Sequence, residues 1–152
     1  MATGEHQDWV YLTSQPLTPA QLVTHVTCPE AGGVVVFIGT TREMTEGRQT
    51  RYLEYEAYEE MARDQLAHIV KTAREQWPIV RCAVAHRLGR VDLCEASVVI
   101  AISCPHRRDA FAAASWMIDS IKQVVPIWKC EHWADGSHEW IHPTIPDPSP
   151  TP

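Results

Sequence analysis

One stretch, Ser103 to Glu131 (SCPHRRDAFAAASWMIDSIKQVVPIWKCE), limits the folds open to this chain more than any other. The apolar run Ala96–Ser103 (ASVVIAIS) leads straight into a basic cluster, His106, Arg107 and Arg108. A helical pattern begins at once. Phe111, Ser115, Ile118, Lys122 and Val125 recur at steps of four and three, which places them on one helix face. Pro126 has no N–H to donate and turns Val125 away from helical dihedrals, so the helix stops there, with Lys129 just beyond. Two features cost something if structure is their only purpose. Arg107 and Arg108 stand at a helix start, where free N–H groups and the helix dipole are already positive. Lys122 shares a stripe with Phe111 and Ile118, so it must snorkel, pair or work. Singly, a solvated turn and a snorkelling lysine account for each. Together, the basic groups flanking one helix point to an anion site, because helix N-termini and guanidinium forks both bind phosphate or carboxylate.

The remaining segments surround that unit. Trp9–Thr13 reads as a strand. Thr18, Pro19 and Gln21 predict a capping box opening a helix to about Val26. Cys28–Gly33 is loop, with Gly32 and Gly33 as breakers. Val34–Ile38 (VVVFI) predicts a strand buried on both faces. It ends at Gly39, Thr40, Thr41 and Arg42, and the following EMTEGRQT reads as a mobile loop. Arg42, at the mouth between strand and loop, is a candidate binding residue. Arg51–Ala57 alternates with Leu53, Tyr55 and Ala57 inward. Tyr58–Trp77 is an amphipathic helix with the stripe Ala62, Leu66, Ile69, Ala73 and Trp77. Val80–Arg87 alternates as a further strand in which His86 is a packed or hydrogen-bonded residue, and Leu88–Glu95 reads as a turn around Gly89. KCEHW and HEWIH flank Asp135-Gly136 as a hairpin. Residues 1–142 form one domain, and the Pro-rich residues 143–152 form an extended tail. Separate helices with strand hairpins between them make the fold class α+β.

Several function classes fall away. The net charge of −6 argues against a nucleic-acid binder. No apolar run approaches the roughly 18 residues of a membrane span, and no secretory signal opens the chain, so an intracellular location is expected. Five cysteines without a CxxC pattern fit a reducing compartment. Cys104-Pro105-His106 and Cys130-Glu131-His132 could offer zinc ligands. Their spacing is tighter than structural zinc sites use, and buried thiols are the simpler reading. No GxGxxG or Walker loop is present.

Four segments, in order, resemble the MoaE family, the large catalytic subunits of molybdopterin synthase: GGVVVFIGTTRE, LEYEAYEEMA, AREQWPIVRCAVAHRLGRV and SCPHRRDAFAAASWMIDSIKQVVPIWKCE. The resemblance implies an α/β-hammerhead type of fold with a small additional antiparallel β subdomain. It implies a homodimer within a heterotetramer, each copy holding a small ubiquitin-like subunit that ends in a Gly-Gly thiocarboxylate. It implies a sulfurtransferase of molybdenum cofactor biosynthesis, in the cytoplasm, that converts cyclic pyranopterin monophosphate into the molybdopterin dithiolene without a metal or other cofactor. By the same resemblance, Lys122 and Lys129 are the catalytic lysines. Thr40, Thr41 and Arg42 lie at a pterin and phosphate pocket, His106 and Arg107 hold the substrate's anionic end, and Cys130 and Glu131 stand in the pocket wall. A non-catalytic module of the same fold, binding the pterin phosphate or the ubiquitin-like tail, is the alternative. The chain departs from the family at Cys94, where a turn glycine is common, and in its tail, which has fewer basic residues than is usual.

Overall fold

The longest wholly apolar run makes the middle of a sheet. The computed structural model describes residues 8–141, so His142 and the Pro-rich tail lie outside the described residues. In chain order the elements are β1 (Trp9–Thr13), α1 (Pro19–Val26), β2 (Gly33–Thr40), β3 (Met44–Thr45), β4 (Arg48–Ala57), α2 (Glu59–Gln76), β5 (Arg81–Arg87), β6 (Gly89–Asp92), β7 (Ala96–Cys104), α3 (Arg107–Val124), β8 (Ile127–Trp133) and β9 (His138–Ile141). β7 pairs antiparallel with β2 and with β5, and β1 runs parallel to β5, giving a sheet in the order β1-β5-β7-β2. α2 and α3 pack on one face, over Val84, Val98, Ile100 and Ile102. α1 covers part of the other, where Leu22 and Val26 meet Ala83, Ala85, Val99 and Ala101. Two sheets with three separate helices confirm the α+β class.

Cover from the helices explains where the strand expectations needed correcting. β5 is buried on both faces rather than one, because it lies between β1 and β7 with α1 above and α2 and α3 below. The small Ala83 and Ala85 on the α1 side made it read as half-wet. β2 shows the reverse. It was expected to be buried on both faces, but it is an edge strand that α1, lying mainly over β5 and β7, leaves only partly covered. Val34, Val36 and Ile38 stay 38%, 39% and 41% exposed.

The second sheet is built on β4, which pairs with β3, β6 and β8, while β8 continues into a hairpin with β9. The expected mobile loop EMTEGRQT is the β3–β4 hairpin. Glu46 (φ 49°) and Gly47 (φ 80°) form its two-residue turn, both left-handed, as the twist of paired strands favours. The expected turn at Leu88–Glu95 contains strand β6 against Tyr52–Tyr55 of β4. The capping box at Thr18 does not form. The Thr18 carbonyl accepts from the Gln21 N–H at 3.0 Å, and the hydroxyl makes no cap.

α3 sits one step round from the expected stripe. Its buried residues are Ala110, Ala113, Ala114, Met117 and Ile121, whereas Phe111 is 62% exposed. Alanines carry little hydrophobic weight in a pattern, yet here they let the helix lie close to the sheet. Gly32 and Gly33 belong to the same contact. A Cβ on Gly32 would stand 2.5 Å from the Pro105 carbonyl oxygen, and one on Gly33 would stand 3.0 Å from the Arg107 backbone nitrogen.

Cys94 holds a left-handed conformation (φ 67°), and its N–H donates to the Thr41 carbonyl at 2.9 Å. A non-glycine residue there costs roughly 1–2 kcal/mol. Cys94→Gly is therefore expected to raise stability by about 1 kcal/mol in urea unfolding, despite glycine's greater unfolded-state entropy.

Candidate functional site

Two slips in strand register open a cleft below the C-terminal end of α3, where one end of the first sheet meets the second. β2 shifts against β7 between Gly39 and Thr40, and β4 shifts against β8 between Thr50 and Tyr52. Extra residues at such bulges bend a strand and re-aim its side chains. Gly39 is needed at the first, because a Cβ there would meet Val98 Cγ1 at 2.7 Å.

The cleft has two lobes. One, of about 300 Å³, is mainly apolar and is lined by His86, Ile118, Ile121, Val125, Ile127 and Ile141. The other, of about 360 Å³, is mainly polar and includes Thr40, Thr41, Arg42, Thr45 and Glu131. Five residues border both: Tyr55, Ser97, Val98, Lys122 and Lys129. The two lysines thus stand at the junction. Lys122 comes from the last turn of α3, where the carbonyl end of the helix favours a cation. Lys129 comes from β8, whose alternation turns Ile127, Lys129 and Glu131 toward the cleft.

Of the residues singled out from sequence, Thr40, Thr41, Arg42, Lys122, Lys129 and Glu131 converge on this cleft. Cys130 does not line either lobe. It alternates to the other side of β8, buried opposite Trp140 on β9. His106 and Arg107 are also elsewhere, exposed at the N-cap and first position of α3. Fifteen residues of helix separate Arg107 from Lys122, about 22 Å along the axis. One chain therefore does not gather both ends of α3 around one ligand. Four polar residues of the cleft were not singled out as site residues: Thr45, Tyr55, His86 and Ser97. The available signal was a tyrosine in an otherwise aliphatic inward row, Leu53-x-Tyr55-x-Ala57.

The polar groups of the cleft are unevenly satisfied. Glu131 is 2% exposed, and its Oε1 accepts a hydrogen bond from the Thr50 hydroxyl at 2.8 Å. Its Oε2 is buried without a partner among the described residues, and so is the hydroxyl of Thr41, itself 3% exposed. Burial pushes the Tyr55 phenol above its usual pKa, against the opposing effect of a hydrogen bond with Ser97, so Tyr55 is a neutral donor. His86 packs edge-on to Tyr55 at 5.0 Å and donates from Nδ1 to the Arg87 carbonyl at 2.8 Å. Burial lowers its pKa to about 4, so the ring is neutral near pH 7. Burial likewise pushes the Cys104 thiol up to about 11, which makes it unreactive. Among the described residues no group of three or more His, Cys, Asp or Glu side chains is placed to hold a metal ion. None of the described helices is long and apolar enough to cross a membrane.

Comparison with known proteins agrees with this architecture. The family model described as MoaE protein matches residues 12–124. The molybdopterin synthase catalytic subunit of Halalkalibacterium halodurans is 47% identical over 130 residues, covering 86% of this chain and 83% of that protein. The subunit of the same name from Bacillus subtilis is also 47% identical, covering 86% and 82%. The crystal structure of molybdopterin synthase from Staphylococcus aureus superposes with a TM-score of 0.83 at 39% identity, over 90% of this chain and 98% of that one.

The neutral His86 ties stability to pH. An unfolded histidine titrates near 6.5, so as pH falls the unfolded chain takes up this proton before the folded one does. His86 contributes its full share of stability above about pH 6.5 and loses it progressively toward pH 4, by at most about 3 kcal/mol. Urea unfolding at pH 7.5, 6 and 5 is expected to show this decline, and His86→Phe is expected to flatten it. An unchanged slope in the variant would place the acid sensitivity elsewhere.

Proposed function

The chain belongs to the MoaE family, and on that premise we propose that it is the catalytic subunit of a molybdopterin synthase. It transfers sulfur from the C-terminal thiocarboxylate of a small ubiquitin-like partner to cyclic pyranopterin monophosphate, forming the molybdopterin dithiolene. The observation that carries this reading is the pair of lysines shared by both lobes of the cleft. Two reactants, each bearing an anion, have to meet where cations hold them in line.

Each lobe suits one reactant. Thr40, Thr41 and Arg42 offer hydroxyl and guanidinium donors to a phosphorylated heterocycle. The apolar lobe admits an extended chain end without side chains, as a Gly-Gly tail is, and delivers its terminal sulfur to the junction. That sulfur attacks an oxygen-bearing carbon of the substrate. A carbon–sulfur bond forms as a thioester to the partner, and the carbon–oxygen bond it replaces breaks, the oxygen leaving as water or staying on the phosphate as the cyclic ester opens. Water then cleaves the acyl–sulfur bond, the partner leaves as a carboxylate, and sulfur stays on the product. Two such transfers complete the dithiolene. Lys122 contacts the thiocarboxylate and serves as general acid/base or transient acyl acceptor. Lys129 orients the substrate and steadies the negative charge that develops on the acyl oxygen. The five cysteines are free thiols, which supports a cytoplasmic setting.

His106 and Arg107 enter this scheme from a second copy. β2 starts against the backbone of Arg107 and ends at Thr40 in the polar lobe. Its length, about 23 Å, matches the distance between the basic start and the lysine end of α3. The exposed row Val34, Val36 and Ile38 runs along it. If two copies pair across that row about a two-fold axis, the start of one β2 lies beside the end of the other. His106 and Arg107 of each copy then reach the polar lobe of its mate, where they grip the phosphate with Arg42. With one small subunit on each copy, the assembly is a heterotetramer.

Lys122→Ala and Lys129→Ala are each expected to lower dithiolene formation, measured with a thiocarboxylated partner, by about a hundredfold or more. Near-normal turnover in both variants ends the synthase reading. The shared site has its own test. Arg107→Ala and Lys122→Ala chains are each nearly inactive alone, but mixed dimers hold one intact site of two, so random mixing restores about a quarter of wild-type turnover. No recovery above the parent variants overturns the shared site.

A further inference from the structure

Thr50 is turned out of the alternation of its strand. Leu53 and Tyr55 face the cleft from β4, and plain alternation would put Arg51 beside them and Thr50 on the far side. The register shift between Thr50 and Tyr52 reverses this. Arg51 is exposed, while Thr50 is 1% exposed and donates its hydroxyl proton to Glu131 Oε1 at 2.8 Å. The Thr45 hydroxyl, in the wall of the polar lobe, stands 3.4 Å from that of Thr50. A bulge, a buried hydroxyl and a buried carboxylate thus hold one side chain in place.

The held group is incompletely used. Glu131 Oε2 and Thr41 Oγ1 are both buried, both unpartnered among the described residues, and both on residues of the same lobe. Buried polar groups are almost always paired, so two left unpaired in one cavity point to a ligand that completes them. A carboxylate only accepts hydrogen bonds, so the ligand group it meets is a donor. A phosphate is excluded at that position by charge, and Arg42 and the lysines provide for it elsewhere in the lobe.

We propose that Glu131, locked by Thr50, recognises the adjacent N–H and NH₂ donors on the pyrimidine edge of the substrate's fused heterocycle. The inference rests on the synthase reading, since that supplies a pterin. Glu131 touches the ligand and sets its specificity, and Thr50 is a positioning residue that acts through it. The Thr41 hydroxyl completes the same end of the lobe. The phosphate is then held by cations and the opposite edge by a fixed anion, which sets which carbon of the substrate lies at the lysine junction.

The test measures binding directly, by quenching of ligand fluorescence in the complete complex with the small subunit. The probes are 6-hydroxymethylpterin and the matched lumazine, in which oxygen replaces the 2-amino group. The wild type is expected to prefer the pterin by about tenfold or more, the worth of one charge-assisted hydrogen bond. Glu131→Gln is expected to abolish the preference, Thr50→Val to reduce it severalfold, and Thr50→Ser to restore it, with melting temperatures verifying that each variant is folded. Equal binding of the two probes by the wild type, or a preference retained in folded Glu131→Gln, overturns the proposal. A melting temperature lowered in Thr50→Val with the preference intact reduces Thr50 to a structural role and overturns its part. Dithiolene formation by the wild-type complex is assayed in parallel. Its absence counts against the synthase reading, while its presence with no pterin preference counts against this inference alone.

Discussion

The close seating of α3 on the first sheet is the contact on which the other features depend. Ala110, Ala113 and Ala114 present almost no side chain to the sheet, and Gly32 and Gly33 present none to the start of the helix. Interiors pack to nearly crystalline density, so such a seat admits little sliding or rotation. Both helix ends are fixed by it. At one end Arg107 stands against the start of β2. At the other Lys122 projects over the cleft, and Val125 and Pro126 turn the chain into β8, which brings Lys129 to the same junction. Methyl-sized residues, with no chemistry of their own, set the spacing of the charged ones.

The second sheet contributes by departing from regularity. A perfectly alternating β4 would place Arg51, a large cation, where Thr50 now meets Glu131. A perfectly registered pairing of β2 with β7 would leave no residue unmatched, whereas the slip after Gly39 skips Ser97 of β7 just where Thr40, Thr41 and Arg42 enter the cleft wall. Each bulge gives up regular ladder pairing, and in return the polar lobe gains side chains that a flat sheet would direct to solvent. The outcome is a cavity with cations at one side and a buried anion at another, suited to a ligand whose two ends differ in charge.

Much of this was legible in the chain, and what was not falls under a few physical causes. The helix bounds at Pro19 and Pro126 and the apolar centre of β7 follow from backbone chemistry and local pattern, and the pairing of Lys122 with Lys129 from the family resemblance. Burial on a given face is different, because it depends on which distant element lies over it. Val34, Val36 and Ile38 have the composition of a core strand, and nothing within VVVFI says that α1 lies mainly over β5 and β7 and leaves this row only partly covered. Ala83 and Ala85 have the composition of a wet face, and nothing local says that Leu22 and Val26 sit on them. The β3–β4 turn was misread for another reason: its left-handed pair is Glu46-Gly47, not the Asn-Gly or Asp-Gly of a familiar hairpin signal. Thr50 and Tyr55 were passed over because a bulge cannot be seen in a one-dimensional alternation and because a tyrosine facing inward looks like ordinary core.

The uncovered row on β2 also bears on how the protein is made. An edge strand rich in β-branched residues, without an inward charge or a proline to blunt it, is a template for adventitious sheet growth. A newly synthesised chain carries this face until something occupies it. Dilute, unassembled chains are thus the aggregation-prone species.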